Sequence, residues 1–164
     1  MQITALSTPA MLIDTARVAA NCAAMSSRAR SLGVTLRPHM KTHKCAAIGR
    51  MQVGGDAGPI TVSTLAEAHH FRDAGFTDIT LAVPIAPHRA VEAVSLGLRL
   101  LVDSSEAVDT IEAAVGAGGV SPVFLKVDCG YGRAGVQPGS ASAVALARRL
   151  HASPAIDFRG LLTH

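Results

Sequence analysis

Between residues 37 and 44 the chain reads Arg37-Pro38-His39-Met40-Lys41-Thr42-His43-Lys44, a run dense in cationic and imidazole side chains. In a strand, successive side chains alternate, so Thr35, Arg37, His39 and Lys41 are expected on one face and Val34, Leu36, Pro38 and Met40 on the other. A lysine crowded by Arg37, His39 and Lys44 in a partly desolvated pocket is expected to give up its ammonium proton readily, because desolvation and like charge both disfavour the charged form. A neutral amine attacks aldehydes, the requirement for a Schiff base. The surplus cations suit an anionic ligand such as a phosphate or carboxylate. The plainer reading is a solvated basic turn leading into the next helix. A metal site from His39 and His43 is a third reading, disfavoured because i,i+4 ligation needs a helix that Pro38 and a strand context oppose.

A second run, Val123-Phe124-Leu125-Lys126-Val127-Asp128-Cys129-Gly130-Tyr131-Gly132-Arg133-Ala134-Gly135, repeats the pattern. Alternation sends Val123, Leu125 and Val127 one way and Lys126 and Asp128 the other. Gly130, Gly132 and Gly135 permit positive φ and close backbone approach, and Arg133 offers a planar donor fork. An exposed Lys126–Asp128 pair is the weaker alternative. Cys129 is read as a small buried thiol before it is read as a reactive one. His164 follows the apolar Gly160-Leu161-Leu162-Thr163 at the C-terminal end of an expected strand. His69 and His70 are placed on the solvated face of a helix.

The elements that must hold these residues alternate in kind. Short β-branched or Leu-rich runs at 34–38, 60–62, 79–83, 98–102, 123–127 and 160–163 read as strands, each flanked by Gly, Pro, Ser or Asp. Between them lie Ala-rich helical stretches. Thr15 to Leu32 puts Val18, Cys22, Met25 and Ala29 on one stripe. Ser63-Thr64-Leu65-Ala66-Glu67 opens a helix with a capping box that Gly75 stops. Further helices begin near Ser104 and Ser140.

Of 164 residues, 49% are hydrophobic, 16% charged and 3% aromatic, with 15 basic and 12 acidic side chains giving a net charge of +3. That composition excludes a disordered chain and disfavours nucleic-acid modules that stack bases on aromatic rings. The charge is too small and scattered for a phosphate-backbone partner. No apolar stretch approaches the ~20 residues that span a bilayer. Cys22, Cys45 and Cys129 are few, widely spaced and odd in number, as in a reduced, cytoplasmic protein with no secretory signal.

Strands recurring with intervening helices indicate βαβ units and a parallel sheet. The expected fold is α/β, a partial (β/α)8 TIM-type barrel with about six βα units. A complete barrel needs ~250 residues. The chain stops directly after a strand, so it is expected to be the N-terminal portion of a longer protein. A doubly wound open sheet is the alternative, weakened because no GxGxxG follows the first strand.

Thr8-Pro9-Ala10 with Leu12-Ile13-Asp14, the Arg37-Pro38-His39-x-Lys41-Thr42-His43-Lys44 run, Val62-Ser63-Thr64-Leu65-Ala66-Glu67-Ala68, Lys126-Val127-Asp128-Cys129-Gly130-x-Gly132-Arg133-Ala134-Gly135 and Gly160-Leu161-Leu162-Thr163-His164 together resemble the D-serine dehydratase and D-threonine aldolase family of alanine-racemase-like (fold type III) pyridoxal-phosphate enzymes. The resemblance implies that residues 1–164 are an N-terminal pyridoxal-phosphate-binding barrel domain lacking its last strands and a C-terminal β domain. It implies a lyase acting on D-β-hydroxy-α-amino acids, by D-serine dehydration or D-threonine retro-aldol cleavage, through a Schiff base at Lys41. Arg133 then matches an arginine near the cofactor's phenolic oxygen, His164 a histidine against the pyridine ring, and Lys126 a lysine supporting that arginine; His39 joins the cofactor site. A divalent metal, zinc or manganese, is implied for the full-length enzyme with ligands outside this chain, as is a homodimer. The 164 residues alone are expected to be inactive. A noncatalytic pyridoxal-phosphate carrier and an amino-acid racemase are the alternatives, the racemase needing a tyrosine from a C-terminal domain.

Overall fold

The computed structural model describes residues 3–55 and 58–164, and the described residues divide into two compact units, one up to Leu36 and one from Arg37 onward. The first holds one long helix, α1 (Thr15–Ser31). Asp14 caps its start by accepting a hydrogen bond from the Arg17 backbone N–H at 3.0 Å. At its end, Gly33 takes φ +66° and donates to Arg30, while Val34 reaches back to the Ala29 carbonyl, which together make a Schellman stop. Val18, Cys22 and Ala29 lie on its less exposed stripe, whereas Met25, expected there too, stays 53% exposed.

The second unit is an α/β layer structure. Its strands are β1 (Ile60–Val62), β2 (Ile79–Pro84), β3 (Arg99–Val102), β4 (Ser121–Lys126) and β5 (Ile156–Leu162), paired in parallel in the order β1-β2-β3-β4-β5. Consecutive strands are always neighbours, so the order never reverses. A doubly wound sheet has such a reversal and a barrel does not. The connecting helices are α3 (Leu65–Asp73), α4 (Ala90–Ser95), α5 (Ser105–Val115) and α6 (Ala141–Ala152), preceded by α2 (Ala46–Val53). The sequence places a helix after the basic run without bounds, where α2 forms, and gives no signal for the short α4.

Register explains the burial. Parallel partners share a face, and Ile60 with Ile79, Leu100 with Val123, and Val102 with Leu125 all turn toward the helix layer. There they join Phe71, Val108, Ile111 and Leu150 in one buried cluster. The opposite face carries Thr80, Leu101 and Lys126, each nearly enclosed as well. Among the described residues, no helix is long and apolar enough to cross a membrane.

The strand expected at 34–38 does not form. What remains is a single parallel bridge between His39 and Thr61, with the Thr61 N–H donating to the Pro38 carbonyl at 2.9 Å. Proline has no N–H to continue a ladder, and the chain turns at Met40. Arg37 therefore does not join His39 and Lys41. Its guanidinium lies at the opposite, N-terminal end of the sheet, donating to both Asp78 carboxylate oxygens at 2.8 Å and to the Ile60 carbonyl at 3.3 Å. Arg99 grips the same carboxylate at 2.6 and 3.1 Å.

Burial alone would raise the Asp78 carboxyl, but the hydrogen bonds from Arg37 and Arg99 hold it below the usual carboxylate range. The native carboxyl thus binds its proton less readily than the unfolded chain does. Its stabilisation is complete at neutral pH and is lost as pH falls through the acid range below about 4. Asp78→Asn is expected to cost about 2 kcal/mol at neutral pH, since it leaves two half-buried guanidiniums facing each other. Urea denaturation of both proteins at neutral and acid pH checks this: the gap must narrow in acid.

Candidate active site

The Lys41 turn is built from the core outward. Met40 is fully buried, while Lys41 and Thr42 beside it in a single 3-10 turn are exposed. Helix α2 passes close beneath. A Cβ on Gly49 would lie 3.2 Å from both the Met40 sulfur and the Phe76 ring, so glycine there lets the helix approach. The turn's exit is tied by the Lys44 N–H to the Met40 carbonyl at 2.8 Å, with Lys44 at φ +49°. His43 is consumed locally, its Nδ1 accepting from the Cys45 N–H and its Nε2 facing Gln52.

His39 stands at the entrance. Its Nδ1 accepts from the Lys41 backbone N–H at 3.3 Å, which leaves Nε2 as the protonated nitrogen, 3.3 Å from the Ser63 hydroxyl. Burial chiefly, and then the Lys41 charge, push the imidazole below its ordinary value, while Glu67 pulls the other way. The ring is therefore neutral at physiological pH. Among the described residues the Lys41 amine has neither a hydrogen-bond nor an ion-pair partner. The expected crowd of like charges around it is not assembled. Arg37 is at the other end of the sheet, Lys44 lies 3.5 Å from Glu67, and Lys41 itself is exposed rather than desolvated.

The second constellation forms a closed loop after β4. Asp128 Oδ1 accepts from the Gly130 and Gly132 N–H groups at 3.0 Å, and Oδ2 accepts from Gln137 at 3.2 Å. The Gly132 N–H is the main cause holding this carboxyl below its ordinary value. Gly135 donates to Asp103 at 3.0 Å, with φ +113°. A Cβ there would meet the Asp128 nitrogen at 2.6 Å, so no larger residue fits. Asp128 is thus a loop organiser, and no ion pair links it to Lys126 among the described residues.

The loop delivers Arg133 over the Tyr131 ring, 5.2 Å from its centroid, and Tyr131 stacks on His164 with centroids 5.3 Å apart and planes 17° apart. Lys126, Cys129, Tyr131, Arg133 and His164 line one small pocket. Lys126 is only 6% exposed, as its strand position required. Cys129 is exposed, against expectation. Its thiol donates to the His164 carbonyl at 2.9 Å, and the hydrogen bond with the Thr163 side chain is the main cause that lowers it, over the opposing effect of burial.

Arg133 and His164 come after the C-terminal ends of strands, where a barrel gathers its chemistry, and Lys41 comes after the isolated His39–Thr61 bridge. Lys41 lies beside β1, whereas Arg133 and His164 follow β4 and β5 and share a pocket that Lys41 does not line. The sequence reading overlooked Tyr131 as a stacking partner and Asp103, Ser63 and Glu67 as supports. Only Glu67 carried a signal, its place in the capping box. His69 pairs with Glu92 on the surface.

The model for the alanine racemase N-terminal domain matches residues 13–164. D-threo-3-hydroxyaspartate dehydratase of Delftia sp. (strain HT23) is 41% identical over 167 residues, covering 97% of this chain and 43% of that protein. D-serine dehydratase of Dictyostelium discoideum is 39% identical over 148 residues, covering 81% and 37%. Among solved structures, the Delftia dehydratase superposes with a TM-score of 0.88 at 40% identity, covering 98% of this chain and 44% of that one. D-threonine aldolase from Filomicrobium marinum gives 0.86 at 27% identity, covering 97% and 44%. The chain spans less than half the length of these relatives. It belongs to the alanine racemase N-terminal domain family.

Proposed function

We propose that this chain is the pyridoxal-phosphate-carrying part of a lyase acting on D-β-hydroxy-α-amino acids, with Lys41 as the amine that holds the cofactor. The observation that carries this reading is the Lys41 amine itself, without a partner and exposed on a turn anchored in the core at the C-terminal end of the sheet. The names of the relatives, two dehydratases and an aldolase for D-hydroxy amino acids, support the substrate class. Pyridoxal phosphate, when bound, supplies an aldehyde for an amine and a pyridine ring that takes up an electron pair.

The donor set fits that group. His39, neutral and oriented through Ser63, keeps the entrance of the turn fixed beside the amine. Arg133 offers a guanidinium fork, and His164 offers a flat ring face that Tyr131 now covers. Lys126, buried at the end of β4, lines the same pocket as Arg133 and His164. The Asp128 and Asp103 contacts hold the loop so that Arg133 needs little reorganisation on binding. A solved structure of a D-threo-3-hydroxyaspartate dehydratase variant is in a metal-free form. Among the described residues here, no group of three His, Cys, Asp or Glu could hold a metal ion, so no step at this site is assigned to one.

In the full-length protein, pyridoxal phosphate should give a visible absorbance band, and borohydride should fix the cofactor to Lys41. Lys41→Ala should lose both; a band and a trapped cofactor retained in that variant would end the assignment. Product analysis then selects the reaction: pyruvate from D-serine for dehydration, glycine and an aldehyde from D-threonine for retro-aldol cleavage. Turnover of neither, with the Lys41 adduct intact, would point to the carrier or racemase instead. Gly135→Ala is expected to weaken cofactor affinity about tenfold or more by displacing the Arg133 loop, read by titrating the band.

A further inference from the structure

We propose that Glu67 is the positioning residue of the Lys41 turn, a single buried carboxylate that clamps both limbs of the turn and fixes where the amine is presented. Glu67 is 7% exposed, unusual for a carboxylate, which is almost never buried unless paired. One oxygen, Oε2, accepts from the Ser63 backbone N–H at 2.8 Å. The other, Oε1, lies 3.5 Å from the Lys44 ammonium. Ser63 in turn holds His39 through its hydroxyl, and His39 accepts from the Lys41 N–H.

The limb before Lys41 is therefore tied to Glu67 through His39 and Ser63, and the limb after it through Lys44. Both ties converge on one side chain at the first turn of α3, where the helix N-terminus favours a negative charge. The usual function of a glutamate at this position, returning a hydrogen bond to the N-cap residue Thr64, is not what is seen. The carboxylate reaches one residue further back, to Ser63, while the Thr64 hydroxyl caps the Glu67 N–H at 3.1 Å. Helix capping alone needs neither the Lys44 contact nor the His39 relay.

The charged and titratable groups facing His39 are Lys41 on its own turn and Glu67 on α3. Glu67 favours the imidazolium, so removing its charge should shift His39 further down while leaving Lys41 in place.

This inference rests on the Lys41 reading, and its test separates the two. In full-length protein, Glu67→Gln keeps an acceptor for Ser63 but discards the charge. The band formed with pyridoxal phosphate is expected to appear about tenfold more slowly, its pH profile displaced, with borohydride still trapping the cofactor at Lys41. Lys44→Met, at an exposed position, should slow it in the same direction without loss of thermal stability. The His39 imidazole, followed by NMR in cofactor-free protein, should titrate at lower pH in Glu67→Gln. If Glu67→Gln lowers only the melting temperature, while the His39 titration and the rate and pH profile of band formation superimpose on wild type, Glu67 is merely structural and the proposal fails. A wild-type protein that forms no adduct at Lys41, with the His39 shift present in Glu67→Gln, would instead overturn the Lys41 reading.

Discussion

The parallel hydrogen-bond ladder between consecutive strands is the constraint on which the molecule depends. Each strand pairs with the one before it, so every βα connection leaves from the same edge of the sheet and every αβ connection returns to the other. Helices cover one face, which must then be apolar, as Ile60, Ile79, Leu100, Val123 and Leu125 are. The two edges acquire different tasks. The N-terminal edge is closed by Asp78 between two arginines, and the C-terminal edge carries Lys41, Arg133 and His164.

At that C-terminal edge, carboxylates accept hydrogen bonds from backbone N–H groups. Asp128 gathers Gly130 and Gly132, Asp103 holds Gly135, and Glu67 holds Ser63. Charge-assisted bonds of this kind are stronger than neutral ones and give irregular loops a defined shape. The loops are thereby shaped by residues that need not touch a ligand, and the cationic side chains between them are left exposed or in the pocket.

Much of this was legible in the sequence because it rests on period and punctuation. Alternation correctly placed Lys126 opposite Leu125, Ser or Thr caps marked the starts of α3, α5 and α6, and glycines marked the ends of α3 and α5. The alternation rule failed at Arg37 because Pro38 interrupts the ladder: a bridge is not a strand, and a turn at Met40 does not preserve faces. Arg37 was drawn to Asp78, a partner 41 positions away that no local pattern reveals. The short α4 escaped, and α2 had no bounds, because two turns carry too little periodicity to distinguish them from loop. Tyr131 stacking on His164 joins residues from different connections, and only the folded sheet brings them together.

Surface connections between sheet and helix ordinarily accept added or deleted residues. The turn bearing Lys41 has no such freedom, because the side chain immediately before it is sealed in the interior against Gly49 and Phe76. A one-residue insertion on either side would pull that thioether from its socket or swing the amine to a new bearing. The segment's length is dictated by the hydrophobic interior, as firmly as that of any strand.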